Sequence, residues 1–437
     1  MRKFRFYFAI FIAKLIYFIL KTTKLSSGTA IIGLITLKIS PNFLEFANDY
    51  IKTSKVNITG TNGKTTTSGI ITHIIKKSNQ SVINNSSGAN MLNGIVNSLA
   101  LEINPFSNVD YSILETDEAF LSKIFDKMNS NYLLVTNLFE DQTDRFPNPL
   151  ATRDIIQKGI DKQPNIQLVL NSDEPISSTL YSNIAPLFFG IKEVYDDSGN
   201  ILYNPAKEVF CPICKKLLTY NKNFYSQLGH YSCECGFTRK SPKYEATVII
   251  HKNSSTIKLE DENFEIPLTG LFNAYNALGA IVLAKELGIK DIEKNIKSFK
   301  TIAGRNEVCE FKGHQTTIQL IKNPAGTNEV LKTIDLESSI LIAANNNDAD
   351  GKDFSWINQV EFEKLAECNK EIVVSGICAE ELKERLNKAG IKNIKSIPNI
   401  NNAINYIGKT ANGNITILTT YTALLKINKI KEIKKCY

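Results

Sequence analysis

Short apolar runs recur along the chain and alternate with longer stretches in which apolar residues are spaced three or four apart. A first set of runs lies at residues 81–83, 111–114, 132–135 and 167–170. A second set lies at residues 317–320, 339–342, 371–374 and 414–418. Strands that alternate with helices are typical of parallel α/β sheets. The pattern therefore predicts two α/β domains, of which the second is smaller and Rossmann-like.

The beginning of the chain has a different pattern, because residues 6–20 are almost wholly apolar and follow a basic start. Lys14 interrupts this run, which is shorter than the ~20 residues that span a bilayer, and no small-residue cleavage site follows it. We therefore predict an amphipathic helix that either packs on the protein's own core or makes peripheral contact with an anionic membrane. Its polar face, opposite a Phe, Ile and Leu face, is expected to hold Lys3, Tyr7, Lys14, Tyr17, Lys21 and Lys24.

A glycine-rich segment stands between the apolar run at 56–58 and a helical pattern at 69–75. Backbone N–H groups of such a turn can surround phosphate oxygens, a lysine can reach the terminal phosphates, and a following hydroxyl can bind magnesium. The sequence therefore predicts a nucleotide site, although Ile58 stands where the general Walker pattern has glycine. The predicted binding residues are Gly60, Thr61, Asn62, Gly63, Lys64, Thr65 and Thr66.

Length and composition are those of a globular protein. The chain has 437 residues, of which 43% are hydrophobic and 22% charged, which is enough for two or three domains. Its net charge of +7 could indicate nucleic-acid binding, but the lysines are spread along the whole chain together with Asn and Ile. We therefore expect no nucleic acid among its partners.

Four of the eight cysteines cluster at Cys211, Cys214, Cys233 and Cys235, and the others are scattered through the last third. Scattered free cysteines suit a reducing cytosol, so we expect a cytoplasmic protein. Four thiolates at this spacing can close a tetrahedral Zn²⁺ site that leaves no position for water, so the predicted metal is structural. A redox dithiol is the alternative. His230 is expected at the ribbon surface rather than as a ligand.

Several segments, in this order, resemble motifs of the Mur ligase and folylpolyglutamate synthase superfamily. Enzymes of this superfamily activate a carboxylate as an acyl phosphate and let an amine attack it. The segments are the loop Gly-Thr-Asn-Gly-Lys-Thr-Thr at 60–66, the acidic strand end at 115–118, Thr-Asn-Leu-Phe-Glu-Asp-Gln-Thr-Asp-Arg-Phe at 136–146, and residues 270–276 and 304–307. Gln142 departs from the family pattern, because a metal-binding histidine usually stands there.

The acidic segment 115–118 ends a predicted strand, which is where ligands bind in open α/β sheets. The resemblance implies that Glu115 holds Mg²⁺ together with Thr65, with Asp117 or Glu118 assisting. A solvated acidic strand end is the alternative. The resemblance also implies that Asn273 contacts the adenine of ATP. Arg305 would neutralise charge on the transferred phosphate.

Three further features indicate which family of this superfamily the chain resembles. No nucleotide-sugar domain is expected before the loop, and a predicted zinc ribbon interrupts the central domain. The segments 322–326 and 347–356 lie in the last domain. The chain resembles the MurT family, the Mur ligase-like synthetase subunits of lipid II isoglutaminyl synthase. This implies a helical segment at 1–40, a Mur ligase central P-loop ATPase domain at 41–305 with an inserted four-cysteine zinc ribbon at 205–240, and a Rossmann-like domain at 306–437.

The resemblance also implies a reaction. ATP would phosphorylate the α-carboxylate of D-glutamate in the stem peptide of lipid II or a related muropeptide, and ammonia would displace the phosphate to leave D-isoglutamine. Members of the family pair with a GatD-type glutaminase. Glutamine hydrolysis needs an activated cysteine and a histidine base, and no cysteine here lies in a glycine-rich nucleophile turn. Ammonia would therefore come from that partner.

Asp350 resembles the aspartate that completes the glutaminase's cysteine and histidine triad across the interface. Asp348 and Asp353 are the nearby alternatives, and either could cap a turn. With Lys64 and Arg305, Asp350 completes the set of expected catalytic residues. Two other functions stay open on sequence grounds. One is a free-standing ligase that adds an amino acid, as folylpolyglutamate synthase does, and the other is a zinc-ribbon module that binds nucleic acid.

Overall fold

The protein begins with three helices that pack on the first α/β domain. The computed structural model describes residues 2–23, 29–85, 89–141, 147–204, 208–300, 305–430 and 433–435. The first helices are α1 (Arg2–Thr23), α2 (Thr29–Ile39) and α3 (Phe43–Ala47). Helix α1 packs through Phe6, whose ring centroid lies 4.9 Å from that of Phe43 in α3. This layer covers part of one face of the central sheet.

The central domain is built on a nine-stranded sheet with the order β11-β10-β9-β6-β5-β4-β1-β3-β2. Strands β2 to β6 and β9 pair in parallel with β1 or with one another, whereas β10 and β11 extend the edge as antiparallel strands. Its strands are β1 (Ile51–Thr59), β2 (Val82–Asn84), β3 (Val109–Glu115), β4 (Tyr132–Val135), β5 (Gln167–Asn171), β6 (Leu187–Asp196), β9 (Tyr244–Ile250), β10 (Ser255–Leu259) and β11 (Glu262–Ile266). Its helices are α4 (Lys64–Lys77), α5 (Leu92–Glu102), α6 (Leu121–Phe125), α7 (Pro149–Ile160), α8 (Leu271–Glu286) and α9 (Ile292–Ile296).

Two hydrophobic cores lie on the two faces of this sheet. Successive residues of a strand point to opposite faces, so Leu134 of β4 joins the core under α4 and α8. Its neighbours Leu133 and Val135 join the core under the N-terminal helices and α5 to α7. Both faces are therefore buried, which explains why the strands appear in the sequence as continuous apolar runs.

The segment between β6 and β9 forms a small ribbon around the hairpin of β7 (Thr219–Tyr225) and β8 (Leu228–Ser232). Cys211, Leu218 and Tyr231 form its own small buried core. The hairpin extends from the cysteine cluster at one end to the turn after Tyr225 at the other. The hairpin therefore connects the cysteine cluster to the rest of the domain, and Arg239, just after the cluster, adds an ion pair with Asp173 at 2.6 Å.

The second domain is built on a seven-stranded sheet with the order β16-β15-β14-β17-β13-β12-β18. The strands from β16 to β13 are parallel, and β12 and β18 add an antiparallel edge. Its strands are β12 (Arg305–Phe311), β13 (His314–Leu320), β14 (Ser339–Ala343), β15 (Ile372–Ser375), β16 (Ile394–Ser396), β17 (Ile415–Thr419) and β18 (Ile433–Lys435). Its helices are α10 (Pro324–Leu331), α11 (Ala379–Lys388), α12 (Ile400–Thr410) and α13 (Tyr421–Ile427).

Each apolar run of the two sets at 81–170 and 317–418 contributes to a strand, so the expectation of two parallel α/β sheets is confirmed. The antiparallel edges were not foreseen. The expectation for α1 was wrong in one respect, because the helix does not oppose one polar face to one apolar face. Phe6 and Ile10 are buried, while Phe4, Phe8 and Phe11 are exposed along another side. Lys24, expected on the polar face, lies outside the described residues.

Candidate active site

The predicted phosphate loop connects the end of β1 to the start of α4 at Lys64. Gly60 and Gly63 have φ values of 121° and 88°, in the region where a side chain is strained. A Cβ atom on Gly63 would also lie 1.9 Å from Oδ1 of Asn276 in α8. Glycine is therefore required here both by backbone conformation and by the close approach of α8.

The residues that follow β4 hold this loop in place through hydrogen bonds. The backbone N–H groups of Thr61 and Asn62 donate to the carbonyl oxygen and to Oδ1 of Asn137, at 2.8 Å and 2.9 Å. Thr136 Oγ1 donates to the Asn62 carbonyl at 2.7 Å. The described part of the segment that begins at Thr136 thus supports the loop. Residues 142–146, which include Gln142, lie outside the described residues.

Lys64 is buried and paired with an internal carboxylate. Its Nζ lies 2.9 Å from Glu118 Oε1 and also donates to the Gly60 carbonyl. Burial alone would lower the pKa of Lys64, but the nearby Glu118 and Glu115 carboxylates outweigh burial and raise it. Burial conversely favours a higher pKa for Glu118, and the Lys64 charge outweighs it and lowers that pKa. Both groups are therefore charged, and Glu118, one of the expected magnesium helpers, bonds to the lysine.

Thr65 and Glu115, the two residues to which the resemblance assigns Mg²⁺, lie in contact. Thr65 Oγ1 donates to Glu115 Oε2 at 2.8 Å, and Asn90 Nδ2 donates to Glu115 Oε1 at 3.2 Å. Glu115 is buried at the end of β3, beside the loop. A hydroxyl and a carboxylate are oxygen ligands of the kind that Mg²⁺ prefers. Asp117 also lines the adjoining cavity, and its Oδ1 accepts a hydrogen bond from the Ala119 N–H at 3.1 Å.

A cavity of about 620 Å³ extends from this loop to the second domain. Asn273, the predicted adenine contact, lies buried in its wall at the start of α8, where its Nδ2 donates to the Thr269 carbonyl at 2.8 Å. On the side of the second domain, the same cavity is lined by Asp350 and by Tyr421 of α13. The predicted nucleotide site and the predicted partner site therefore open into one space.

Polar contacts join the two domains across this cavity. The side-chain amides of Asn62 and Asn323 donate to each other's oxygen atoms, at 3.1 Å and 2.9 Å. Lys322 Nζ lies 2.5 Å from Asp141 Oδ2. The second domain therefore contacts the phosphate loop directly.

Asp350 lies at the second-domain end of the cavity and is partly exposed. Its Oδ1 accepts from the Thr422 N–H at 2.8 Å, and its Oδ2 accepts from Thr422 Oγ1 at 2.5 Å. Its two neighbours differ: Asp348 forms an exposed ion pair with Lys352, and Asp353 Oδ1 caps the turn at the Ser355 N–H. Among the three aspartates, Asp350 is the one fixed against α13.

Arg305 begins β12, and its backbone pairs with Gln319 of β13. Its side chain lies outside the described part of the structure. The expected role at the transferred phosphate therefore stays a prediction.

The four predicted zinc ligands form one cluster, because their Sγ atoms all lie within 4.8 Å of one another. The closest pairs are Cys214 and Cys233 at 3.4 Å and Cys211 and Cys235 at 3.7 Å. Four sulfurs about 2.3 Å from one Zn²⁺ in a tetrahedron would lie about 3.8 Å apart, so the cluster fits this ion. His230 is not part of it. Contrary to expectation it is half-buried rather than at the surface, with Nε2 2.8 Å from the Ile191 carbonyl.

Comparison with known proteins agrees with this geometry. The Mur ligase middle domain matches residues 58–284, and the MurT ligase C-terminal domain matches residues 320–424. "Lipid II isoglutaminyl synthase (glutamine-hydrolyzing) subunit MurT" of Staphylococcus aureus is 34% identical over 372 residues, which are 84% of each chain. The chain belongs to the MurT family.

The protein of the same name from Streptococcus pneumoniae is 31% identical to this MurT-family chain over 422 residues, 93% of each. Among solved structures, a pseudomurein peptide ligase type C from Methanothermus fervidus superposes with a TM-score of 0.70 at 21% identity, covering 93% of this chain and 86% of that one. This likeness concerns the fold. The family and the Mur ligase fold expected from the sequence are therefore confirmed.

In this MurT-family chain the ribbon hairpin forms one wall of the site, which was not predicted from the sequence. Tyr225, at the end of β7 in the ribbon hairpin, lines the cavity next to Asn62, and its ring centroid lies 5.2 Å from that of Phe139. Gln227, across the hairpin turn, donates to the Leu138 carbonyl at 2.9 Å. A tyrosine in a strand has no local signal for this role, because only the docking of the hairpin brings it to the loop.

Proposed function

We propose that this chain is the synthetase subunit that amidates the α-carboxylate of D-glutamate in the lipid II stem peptide and forms D-isoglutamine. The observation that carries the proposal is the single cavity that joins the phosphate loop to Asp350 in the MurT-type second domain. The relatives named MurT, with 84% and 93% of their own length matched, support the substrate and the reaction.

The residues present fit MgATP. The backbone N–H groups at the start of α4 and the charged Lys64 are placed to hold the terminal phosphates, and Thr65 and Glu115 offer oxygen ligands for Mg²⁺. Asn273 lines the same cavity and is proposed to contact the adenine. When bound, ATP supplies the phosphoryl group that turns the acceptor carboxylate into a reactive acyl phosphate.

The chain's own contribution to this reaction is position and charge. Lys64 keeps a full positive charge in a buried place, and a fixed charge of this kind stabilises negative charge that develops on a transferred phosphate. Arg305 is proposed to assist from the start of β12.

Ammonia is proposed to come from a glutaminase of the GatD type that forms a heterodimer with this chain. Asp350 would orient the histidine of the partner's triad, as the third member of such a triad does. Two observations support this surface. Asp350 is partly exposed, and α13 beside it presents Tyr421 and Leu425 with 42% and 45% exposure. Ammonia released near Asp350 would enter the cavity that leads to Lys64.

The cysteine cluster is proposed to hold a structural Zn²⁺, because four thiolates complete the coordination of the ion. We place the protein in the cytoplasm and propose that it works at the inner face of the cell membrane, where a lipid-linked acceptor would present its stem peptide.

The test is mass spectrometry of lipid II after incubation with the purified chain, MgATP and ammonium chloride, without any partner. We expect conversion of one carboxyl group to a carboxamide, and no conversion when ATP is omitted. If lipid II is unchanged and ATP turnover appears only when an amino acid is supplied, the chain is a free-standing ligase and the proposal is wrong.

A further inference from the structure

Helix α1 has two apolar stripes on different sides. One stripe is buried and contains Phe6, Ala9, Ile10 and Ala13, which pack against the central domain. The other faces outward, and its members follow one another at gaps of four, three, four and three residues, which places them on one line along a helix. They are Phe4, Phe8, Phe11, Leu15 and Phe18, with exposures of 71%, 45%, 61%, 43% and 65%.

The charges of α1 have a single sign. The helix carries Arg2, Lys3, Arg5, Lys14 and Lys21 and no acidic residue. Lys3 and Lys21 are exposed and lie eighteen residues, or five helical turns, apart, so they follow one side of the helix and border the outward stripe, whereas Lys14 on the same side donates to the Ile103 carbonyl at 2.9 Å. An aromatic stripe bordered by lysines is typical of helices that lie in the interface of an anionic bilayer.

We propose that the outward stripe of α1 docks the enzyme on an anionic lipid bilayer, with the helix lying in the plane of the interface. By length and composition α1 could also cross a membrane. Its opposite face, however, is buried against α2, α3 and α5, so lipid cannot surround the helix in this fold. A second copy of the same helix is a poor occupant, because two helices with only basic charges would repel each other.

The docked helix belongs to the layer that forms one wall of the cavity. Ala30, near the start of α2, lines the cavity, and so do Met91 and Asn93 at the start of α5. A Cβ on Gly33 would lie 1.8 Å from the Asn93 carbonyl, so α2 and α5 are in direct backbone contact. Docking through α1 would therefore hold the cavity close to the membrane surface. The inference deepens the proposed function and relies on it only for the lipid-linked acceptor.

The experiment is co-sedimentation of the full chain with vesicles of phosphatidylcholine alone or mixed with phosphatidylglycerol. We expect binding to the mixed vesicles only, and weaker binding as salt rises. The double variant Phe8→Ser, Phe11→Ser should lose about tenfold or more in partition. The matched control is Phe106→Ser, which removes a phenylalanine with 95% exposure elsewhere on the surface and should bind as the wild type does. Circular dichroism verifies that each variant is folded.

Three results would overturn the inference. The first is equal binding of the Phe8, Phe11 variant and the wild type. The second is equal binding to neutral and anionic vesicles. The third is a dimer in analytical ultracentrifugation that the same variant converts to monomer, which would assign the stripe to a second copy. Amidation of detergent-solubilised lipid II is measured separately, so failure of the docking and failure of the proposed function give different results.

Discussion

The two ends of the cavity differ in how far their charged and polar side chains are buried and paired with one another. At the phosphate-loop end, buried side chains are already paired with one another, as Lys64 is with Glu118 and Thr65 with Glu115. At the other end Asp350 is partly exposed, and its carboxylate accepts hydrogen bonds from Thr422 and from the Asn347 N–H of its own domain, next to exposed Tyr421. The first end brings together the groups expected to bind a nucleotide, whereas the second presents two carboxylates at the cavity wall, the partly exposed Asp350 and the exposed Asp348. The comparison suggests that phosphoryl transfer belongs to this chain and ammonia production to a partner.

The largest expected effect comes from Lys64→Ala. This variant removes the buried cation at the phosphates, so we expect ATP turnover and amidation to fall by about a hundredfold or more, with ammonia and with glutamine alike. The measurement is phosphate release together with mass spectrometry of the acceptor.

A control is required because Lys64→Ala leaves the buried Glu118 carboxylate unpaired, which destabilises the fold. The double variant Lys64→Ala, Glu118→Gln removes both charges and should unfold at a higher temperature than the single variant. Turnover near the wild-type rate in a folded variant would contradict the assignment of the nucleotide site.

Asp350→Asn should affect only one source of ammonia. An amide cannot orient and stabilise a protonated histidine as a carboxylate does, so we expect glutamine-dependent amidation with the partner present to fall by about a hundredfold or more. Amidation with ammonium chloride should stay at the wild-type rate.

The matched control for Asp350 is Asp348→Asn, since that exposed aspartate forms its ion pair with Lys352 on the surface. It should leave both reactions unchanged. If Asp350→Asn abolishes both reactions, the hydrogen bonds that Thr422 donates to Asp350 maintain the shape of the cavity. Asp350 would then not act on the ammonia supply alone, and the proposed division of work between the two ends would be wrong.

Cys233→Ser should have the smallest effect and should act at the phosphate-loop end only. Loss of Zn²⁺ loosens the hairpin that carries Tyr225 to the cavity, so we expect nucleotide binding to weaken by about tenfold. Zinc content and the nucleotide Kd are the measurements. Cys368→Ser, in the second domain, is the control and should change neither the zinc content nor the nucleotide Kd. If zinc-free protein binds the nucleotide as tightly as the wild type, the hairpin does not transmit the state of the cysteine cluster to the nucleotide site.

The sequence predicted best what depends on neighbouring residues. The strand from Tyr132 to Val135 is apolar because both of its faces are buried, and the glycines at 60 and 63 are required by the turn itself. The cysteine cluster was predictable because ligand spacing is local.

Contacts between segments that are far apart in the chain could not be predicted from local sequence patterns. The pairing of Lys64 with Glu118 spans 54 positions, and the arrival of Tyr225 at the loop depends on how a hairpin docks. For α1, periodicity identified a helix but not which apolar side the protein covers, because that choice depends on the packing of Phe6 on Phe43.

The Glu118 carboxylate also occupies donors of the phosphate loop. Its Oε1 accepts from Lys64 Nζ and from the Gly60 N–H, two donors that a terminal phosphate would also need. If the loop binds a nucleotide as proposed, its terminal phosphate would take the place of the Glu118 carboxylate at these two donors. Without a nucleotide, Glu118 balances the Lys64 charge, so the protein does not carry an isolated cation in its interior.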